Sequence, residues 1–252
     1  MVITQKKISI LALLLYWPAL LIFAHVPVPE SVRSAQVSDK ALHFLAYLVL
    51  TFLLWFSIRP NVKVSWRKAT VWLLLFFITG YGAADEVIQS FVGRSCDAMD
   101  VVANLSGILF CLFLLTFLSF IPAALIVSGI VIFGMANIAK TDLAEVLPAL
   151  YAIFSLFAYG IFTVFWLLNM DLLFKKNLAK LQWLMLGAGL PMIFLLIVRI
   201  SSVLLNRDFT AQDIVIPVAS IVIVCGAGGY LLKYRKNGFS LRDTQGADPS
   251  RE

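Results

Sequence analysis

The stretch VVANLSGILFCLFLLTFLSFIPAALIVSGIVIFGMANI, residues 101–138, decides how many times this chain crosses a membrane. It is almost continuously apolar, and one crossing of about 30 Å of hydrocarbon needs only roughly 20 residues. Only Ser119-Phe120-Ile121-Pro122 can turn it. Proline in the first turn of a helix loses no hydrogen bond, because the N–H it lacks has no partner there. The stretch therefore reads as two spans, Val101 to Phe120 and Pro122 to Ala139. Without that turn the total falls from eight to seven and every later loop changes side.

Outward from this pair, six more apolar segments reach spanning length: Ile8 to Ala24, Ala41 to Ile58, Ala69 to Phe91, Leu147 to Leu168, Leu181 to Leu204 and Ile214 to Leu232. Hydrophobic residues make up 61% of the 252, charged residues only 13%, and the mean hydropathy is +0.94. A soluble domain carries about 25% charged residues, so this composition belongs to an integral membrane protein. The expected fold is all-α, a polytopic transmembrane bundle of about eight spans, divided into four helices over 1–120, four more over 121–232 and a disordered cytoplasmic tail over 233–252.

Orientation follows from where Lys and Arg fall. Lys6, Lys7, Arg59, Lys63, Arg67, Lys68, Lys175, Lys176, Lys180, Lys233, Arg235, Lys236, Arg242 and Arg251 lie on one side of the alternating spans, whereas Arg33, Lys40, Arg94, Lys140 and Arg207 lie on the other. Both termini are thus expected in the cytoplasm, and the net charge of +6 reflects anchoring against acidic lipid rather than nucleic-acid binding. The first apolar run resembles a secretory signal, but it is long and the following His25-Val26-Pro27-Val28-Pro29 offers no small-residue cleavage site, which predicts a retained span. Cys96, Cys111 and Cys225 are too few and too scattered for a disulfide framework or a thiolate metal site.

Three polar stripes interrupt the apolar pattern. Residues four apart share one face of a helix, so Asp39, His43 and Tyr47 line the second span, with Lys40 beside them; Asp85 and Gln89, with Glu86, line the third; and Asp100, Asn104 and Gly107 line the fourth. At about 1.5 Å of rise per residue, Asp85 lies roughly 24 Å from the cytoplasmic start of its span, while His43 and Asn104 lie about one turn inside the outer face. All three stripes therefore reach one outer layer. A carboxylate in a span costs about 2.5–3.5 kcal/mol at mid-bilayer on insertion scales, so ionisable residues there mark a site by default. The structural alternatives are interfacial polarity, a helix cap at Asp97 or Asp100 and a packed histidine at His43.

The blocks Asp39-Lys40-x-x-His43-x-x-x-Tyr47, Asp85-Glu86-x-x-Gln89-x-Phe91-x-Gly93-Arg94 and Asp100-x-x-x-Asn104-x-x-Gly107 together resemble the signature of the VanZ-like membrane protein family, over roughly residues 8–118. The resemblance implies a small multi-pass protein of the bacterial cytoplasmic membrane and a link to low-level resistance to the glycopeptide teicoplanin; it implies no established activity. Val92 stands where the family often has proline, Cys111 stands where a second glycine often follows Gly107, and the spans beyond about Phe120 fall outside the motif. In that second half Arg199 sits inside a span, where it would either snorkel outward or turn toward the acidic cluster; Asp142, Glu145, Asp208 and Asp213 read as solvated loop charges.

The candidate ligand-binding set is Asp39, Lys40, His43, Tyr47, Asp85, Glu86, Gln89, Arg94, Asp100 and Asn104. The leading expectation is an outward-facing site for an envelope lipid or lipoglycopeptide, with Arg94 and Lys40 on an anionic head group and the neutral polar groups hydrogen-bonding it. One alternative is a metal-assisted enzyme acting on a lipid-linked envelope precursor, with Glu86 or His43 as general acid or base; another is a proton-coupled transporter. Oxygen ligands with one imidazole suit a hard or borderline divalent ion, although the spacing is not a recognised metal motif. No cofactor and no oligomeric state can be read from the residues.

Overall fold

A computed structural model describes residues 2–25, 38–91, 97–138, 148–174, 180–207 and 210–245. Among them the chain forms eight helices and no strand: α1 (Val2–His25), α2 (Asp39–Ile58), α3 (Ala69–Phe91), α4 (Ala98–Phe117), α5 (Phe120–Asn137), α6 (Pro148–Leu173), α7 (Lys180–Leu204) and α8 (Gln212–Gln245). Each includes a stretch long and apolar enough to cross a membrane. In hydrocarbon every backbone polar group must be satisfied within the segment, which leaves the helix as the form an apolar run of this length adopts.

The deciding turn falls where the sequence places it. Leu118 (φ −110°, ψ 141°) and Ser119 (φ −81°, ψ 176°) are extended, and the chain restarts as α5 at Phe120 with Pro122 in its first turn. The spans therefore number eight among the described residues. α8 runs on to Gln245, beyond the expected end at Leu232 and into the segment expected as a disordered tail; Leu231, Leu232, Lys233, Arg235 and Lys236 are all good helix formers, and no proline interrupts them. Residues 246–252 lie outside the described residues.

Helix α2 is the hub of the first half, packing against α1, α4 and α5, while α3 lies against α4. Its closest approach is to α4 at Gly107, where a Cβ would collide with the Phe44 carbonyl oxygen and stand 3.1 Å from the Leu48 nitrogen. Close packing is thus retained although Cys111 replaces a second glycine one turn on; Cys111 is itself fully buried. The loop between α2 and α3 is tied down: Trp55 Nε1 donates to the Val62 carbonyl (2.7 Å), the Val64 amide to the Leu115 carbonyl (2.9 Å) and Trp66 Nε1 to Thr116 Oγ1 (3.1 Å). α1 is the peripheral span. Its Tyr16 hydroxyl donates to the Ala46 carbonyl (3.0 Å) and Trp17 stands edge-on to Phe77 and Tyr81, but Leu11, Leu14, Leu15, Ile22 and Phe23 face outward, as lipid contact requires.

Helix α5 joins two cores. Phe120, Ala124 and Val127 pack into the first with α2, α3 and α4; Ile132 packs into the second with Tyr159, Phe162, Leu195, Val198, Ile221 and Cys225 from α6, α7 and α8. At the end of α5 the Ser38 amide donates to the Ile138 carbonyl (3.1 Å) and Ser202 Oγ donates to Asn137 Oδ1 (3.1 Å), so the start of α2 and the end of α7 lie at one end of the bundle. There Arg199 neither snorkels nor reaches the acidic stripes. Its guanidinium pairs with Asp213 at 3.3 Å and donates to the Tyr151 hydroxyl at 3.4 Å, and both charged side chains are buried. Asp213 is therefore not a solvated loop charge: it also accepts from the Thr210 amide (2.8 Å) and hydroxyl (3.2 Å) at the start of α8. Asp142, Glu145 and Asp208 lie outside the described residues.

Candidate functional site

The three stripes meet. Ser38 caps α2, its hydroxyl accepting from the Ala41 amide, and Asp39 occupies the first turn, where a negative charge complements the helix dipole. Asp97 caps α4, accepting from the Met99 amide at 2.8 Å. These two caps set α2 and α4 side by side, starting at the same end, with Gly107 permitting the close approach one turn below Asn104. His43 then projects from α2 between α3 and α4.

Around the imidazole of His43 the contacts are almost all to oxygen. Nδ1 lies 3.0 Å from Asn104 Oδ1 and 3.4 Å from Glu86 Oε1; Nε2 lies 3.8 Å from Asp39 Oδ1 and 4.0 Å from Asp100 Oδ2. Lys40 is drawn to the other edge of the cluster, donating to Asp97 Oδ2 at 2.8 Å and to Asp100 Oδ1 at 3.4 Å. The Lys40 hydrogen bond, with that of the Met99 amide, holds the Asp97 carboxyl below the usual carboxylate range. On α3, Gln89 Nε2 donates to Asp85 Oδ2 at 2.9 Å, and the other Asp85 oxygen faces His25 Nε2 at 3.8 Å.

Burial is graded across the site. The Asp39 and Lys40 side chains are half exposed, whereas Glu86 is 1% exposed and Asp85, Gln89, Asp100, Asn104 and Tyr47 are also buried. Several of the buried atoms have no hydrogen-bond partner: both Glu86 oxygens, Asp85 Oδ1, Asn104 Nδ2, and the Tyr47 and Tyr81 hydroxyls. The Tyr47 ring lies against Gly82 of α3, where a Cβ would stand 3.1–3.2 Å from its ring and hydroxyl, so the hydroxyl is held at the level of Asp85 and Glu86. Burying an unpartnered polar atom costs about 1–3 kcal/mol, and native proteins leave few of them.

Of the ten residues singled out from the sequence, nine fall in this one assembly; Arg94 lies outside the described residues. His25, at the end of α1, was not among them, although its position at the C-terminal end of the first apolar segment was the available signal. Nor was Tyr81, which shares a helix face with Asp85.

Residues 14–120, which carry α2, α3, α4 and their polar stripes, match the model of the VanZ/LLP1 family and are similar to it. No curated protein and no solved structure matches this chain significantly.

Proposed function

On the premise that residues 14–120 are a VanZ/LLP1-type region, we propose that this multi-pass membrane protein is a cell-envelope protein of the bacterial cytoplasmic membrane, both termini cytoplasmic, whose outward site binds the polar head of an amphiphile. The ligand class is an envelope lipid, a lipid-linked envelope precursor or a lipoglycopeptide of the teicoplanin type. The observation that carries the reading is the group of unpartnered buried atoms on Glu86, Asp85, Asn104, Tyr47 and Tyr81, from three adjacent helices. A head group entering from the half-exposed rim at Asp39 and Lys40 would give those atoms partners while its apolar chain stayed in the bilayer.

The charge arrangement narrows the head group. Lys40 is engaged by Asp97 and Asp100, so the described part of the site offers chiefly acceptors, together with the Tyr hydroxyls and the Asn104 amide. Carboxylates accept and do not donate when ionised. Sugar hydroxyls and ammonium groups fit them better than a bare phosphate, for which Arg94 is the remaining cation of the motif.

The test is native mass spectrometry of the gently purified protein, comparing wild type with Glu86→Gln, Asn104→Ala and Arg94→Ala. The expected result is a specific lipid or added glycopeptide retained by the wild type and lost from the variants. Retention of the same species by all four proteins would overturn the reading.

A further inference from the structure

We infer that the outer ends of α2 and α4 form a binding site for one divalent transition-metal cation, with Asp39, His43 and Asp100 as its ligands and Glu86 behind them.

One oxygen of Asp39, one ring nitrogen of His43 and one oxygen of Asp100 lie within 4.8 Å of one another. Ligand bonds of about 2.0–2.2 Å put neighbouring ligand atoms of one ion about 3.0–3.5 Å apart at octahedral or tetrahedral angles, so an ion would draw the two carboxylates inward by roughly 0.5–1 Å from their present distances to His43 Nε2, 3.8 Å for Asp39 and 4.0 Å for Asp100. Those distances are too long for hydrogen bonds, so the groups face one another without bonding directly.

The other side of the imidazole points the same way. Nδ1 faces Asn104 Oδ1 and Glu86 Oε1. The Asn104 and Glu86 oxygens can accept from an Nδ1–H, which leaves Nε2 as the ring nitrogen turned toward two further carboxylates, where the balancing positive charge is either a second ring proton or a bound cation. Metal-binding histidines characteristically donate their second N–H to a carboxylate or carbonyl oxygen, which fixes the tautomer and raises ligand basicity. Glu86 supplies the independent sign of a ligand: it is 1% exposed, has no hydrogen-bond partner on either oxygen and lies 3.4 Å from the ring. A buried carboxylate so placed calls for positive charge nearby, and Lys40 is already turned to Asp97 and Asp100. Two oxygens and an imidazole nitrogen suit Mn²⁺ or Zn²⁺, and the half-exposed Asp39 provides the entry path.

The inference does not depend on the amphiphile reading, because the ligand set is complete without a head group. It is tested on the full-length protein in detergent, stripped with EDTA and titrated with MnCl₂, free Mn²⁺ being read from its electron paramagnetic resonance signal. The expected result is one Mn²⁺ per chain, displaced by Zn²⁺, with binding weakened at least tenfold by Asp39→Asn, Asp100→Asn and His43→Gln and unchanged by Asp171→Asn on α6. Pulsed measurements on the wild type should also show a ¹⁴N coupling from one imidazole, a readout that needs no variant to fold. Absence of stoichiometric Mn²⁺, or bound Mn²⁺ lacking a nitrogen coupling, would overturn the site. So would ¹⁵N imidazole shifts showing His43 as an imidazolium at neutral pH that Zn²⁺ does not alter. Lipid retention measured on the EDTA-stripped protein separates failure of this inference from failure of the proposed function.

Discussion

Replacing Gly107 by alanine should loosen the contact on which both the first core and the polar site rest. The added Cβ would meet the Phe44 carbonyl oxygen and lie 3.1 Å from the Leu48 nitrogen and 3.2 Å from the Phe44 carbonyl carbon, all of them main-chain atoms of α2. A flexible side chain could turn aside, but these atoms cannot, so α2 and α4 must separate. Overpacking costs typically about 1–3 kcal/mol, and an unyielding backbone places this case in the upper part of that range. The better helix propensity of alanine offsets about 1 kcal/mol, leaving a net loss of about 2 kcal/mol. For a chain of this size that is a fall of about 4–8 °C in the unfolding midpoint. The assay follows from the buried thiols: Cys111 lies one turn from Gly107 and Cys225 lies in the other core. A maleimide dye on a protein keeping only Cys111 reports opening of the first half. Gly80→Ala is the control, since nothing lies within 4 Å of its added Cβ and propensity alone should hold or raise the midpoint. If Gly107→Ala unfolds no lower than Gly80→Ala, the close approach of α2 and α4 is wrong.

Removing one member of the buried Arg199–Asp213 pair leaves the other charge uncompensated, which costs about 3–5 kcal/mol. Arg199→Met and Asp213→Leu should each lower the midpoint reported by Cys225, while the double variant recovers most of the loss; equal losses in all three would refute the pairing. At the rim, Asp97→Asn keeps a capping side chain but removes the charge. The folded Asp97 carboxyl titrates below its ordinary range because Lys40 bonds the ionised form, so its stabilisation is present at neutral pH and is lost as pH falls through that lowered value. Wild type and Asp97→Asn should accordingly differ in thermal midpoint at pH 7 and converge at acid pH, below the ordinary aspartate value of about 3.9. A difference that persists unchanged in acid would show that the charge is irrelevant. Tyr16→Phe removes the hydroxyl that ties α1 to the Ala46 carbonyl, and a loss of about 1 kcal/mol is expected; a midpoint identical to wild type would show that this contact contributes nothing.

The fold was legible because hydrocarbon leaves a chain few choices. Once apolar runs of spanning length are identified, helices follow, and the turn at Leu118-Ser119 was marked by Pro122 three residues later. The stripes were legible for a related reason: a spacing of four puts Asp39, His43 and Tyr47 on one face whatever that face packs against. Long-range choice of partner was not legible. Lys40 had the four acids of the three stripes and Asp97 beside them to choose from, and the alignment of the Ser38 and Asp97 caps brings it to Asp97 and Asp100. Arg199 finds its partner across the α7–α8 connection, and His25 reaches Asp85 because α1 packs on α2 and α3. No sequence spacing encodes either meeting.

The two halves bury charge at the same end of the bundle, joined through Ser38 to Ile138 and Asn137 to Ser202, but they do so on opposite terms. In the second half one guanidinium meets one carboxylate, the tyrosine and threonine groups add hydrogen bonds although Arg199 Nε and Asp213 Oδ1 have none, and the pair is neutral as built. In the first half, among the described residues, Asp39, Asp85, Glu86, Asp97 and Asp100 face Lys40 and the imidazoles of His43 and His25. A neutral buried pair asks for nothing further, which makes it a tie between helices. A cluster in which the described acids outnumber the described cations calls for further positive charge, from a cation, a proton or a donor-rich head group. That difference in charge balance, rather than burial or polarity, is what distinguishes the candidate site from the struts.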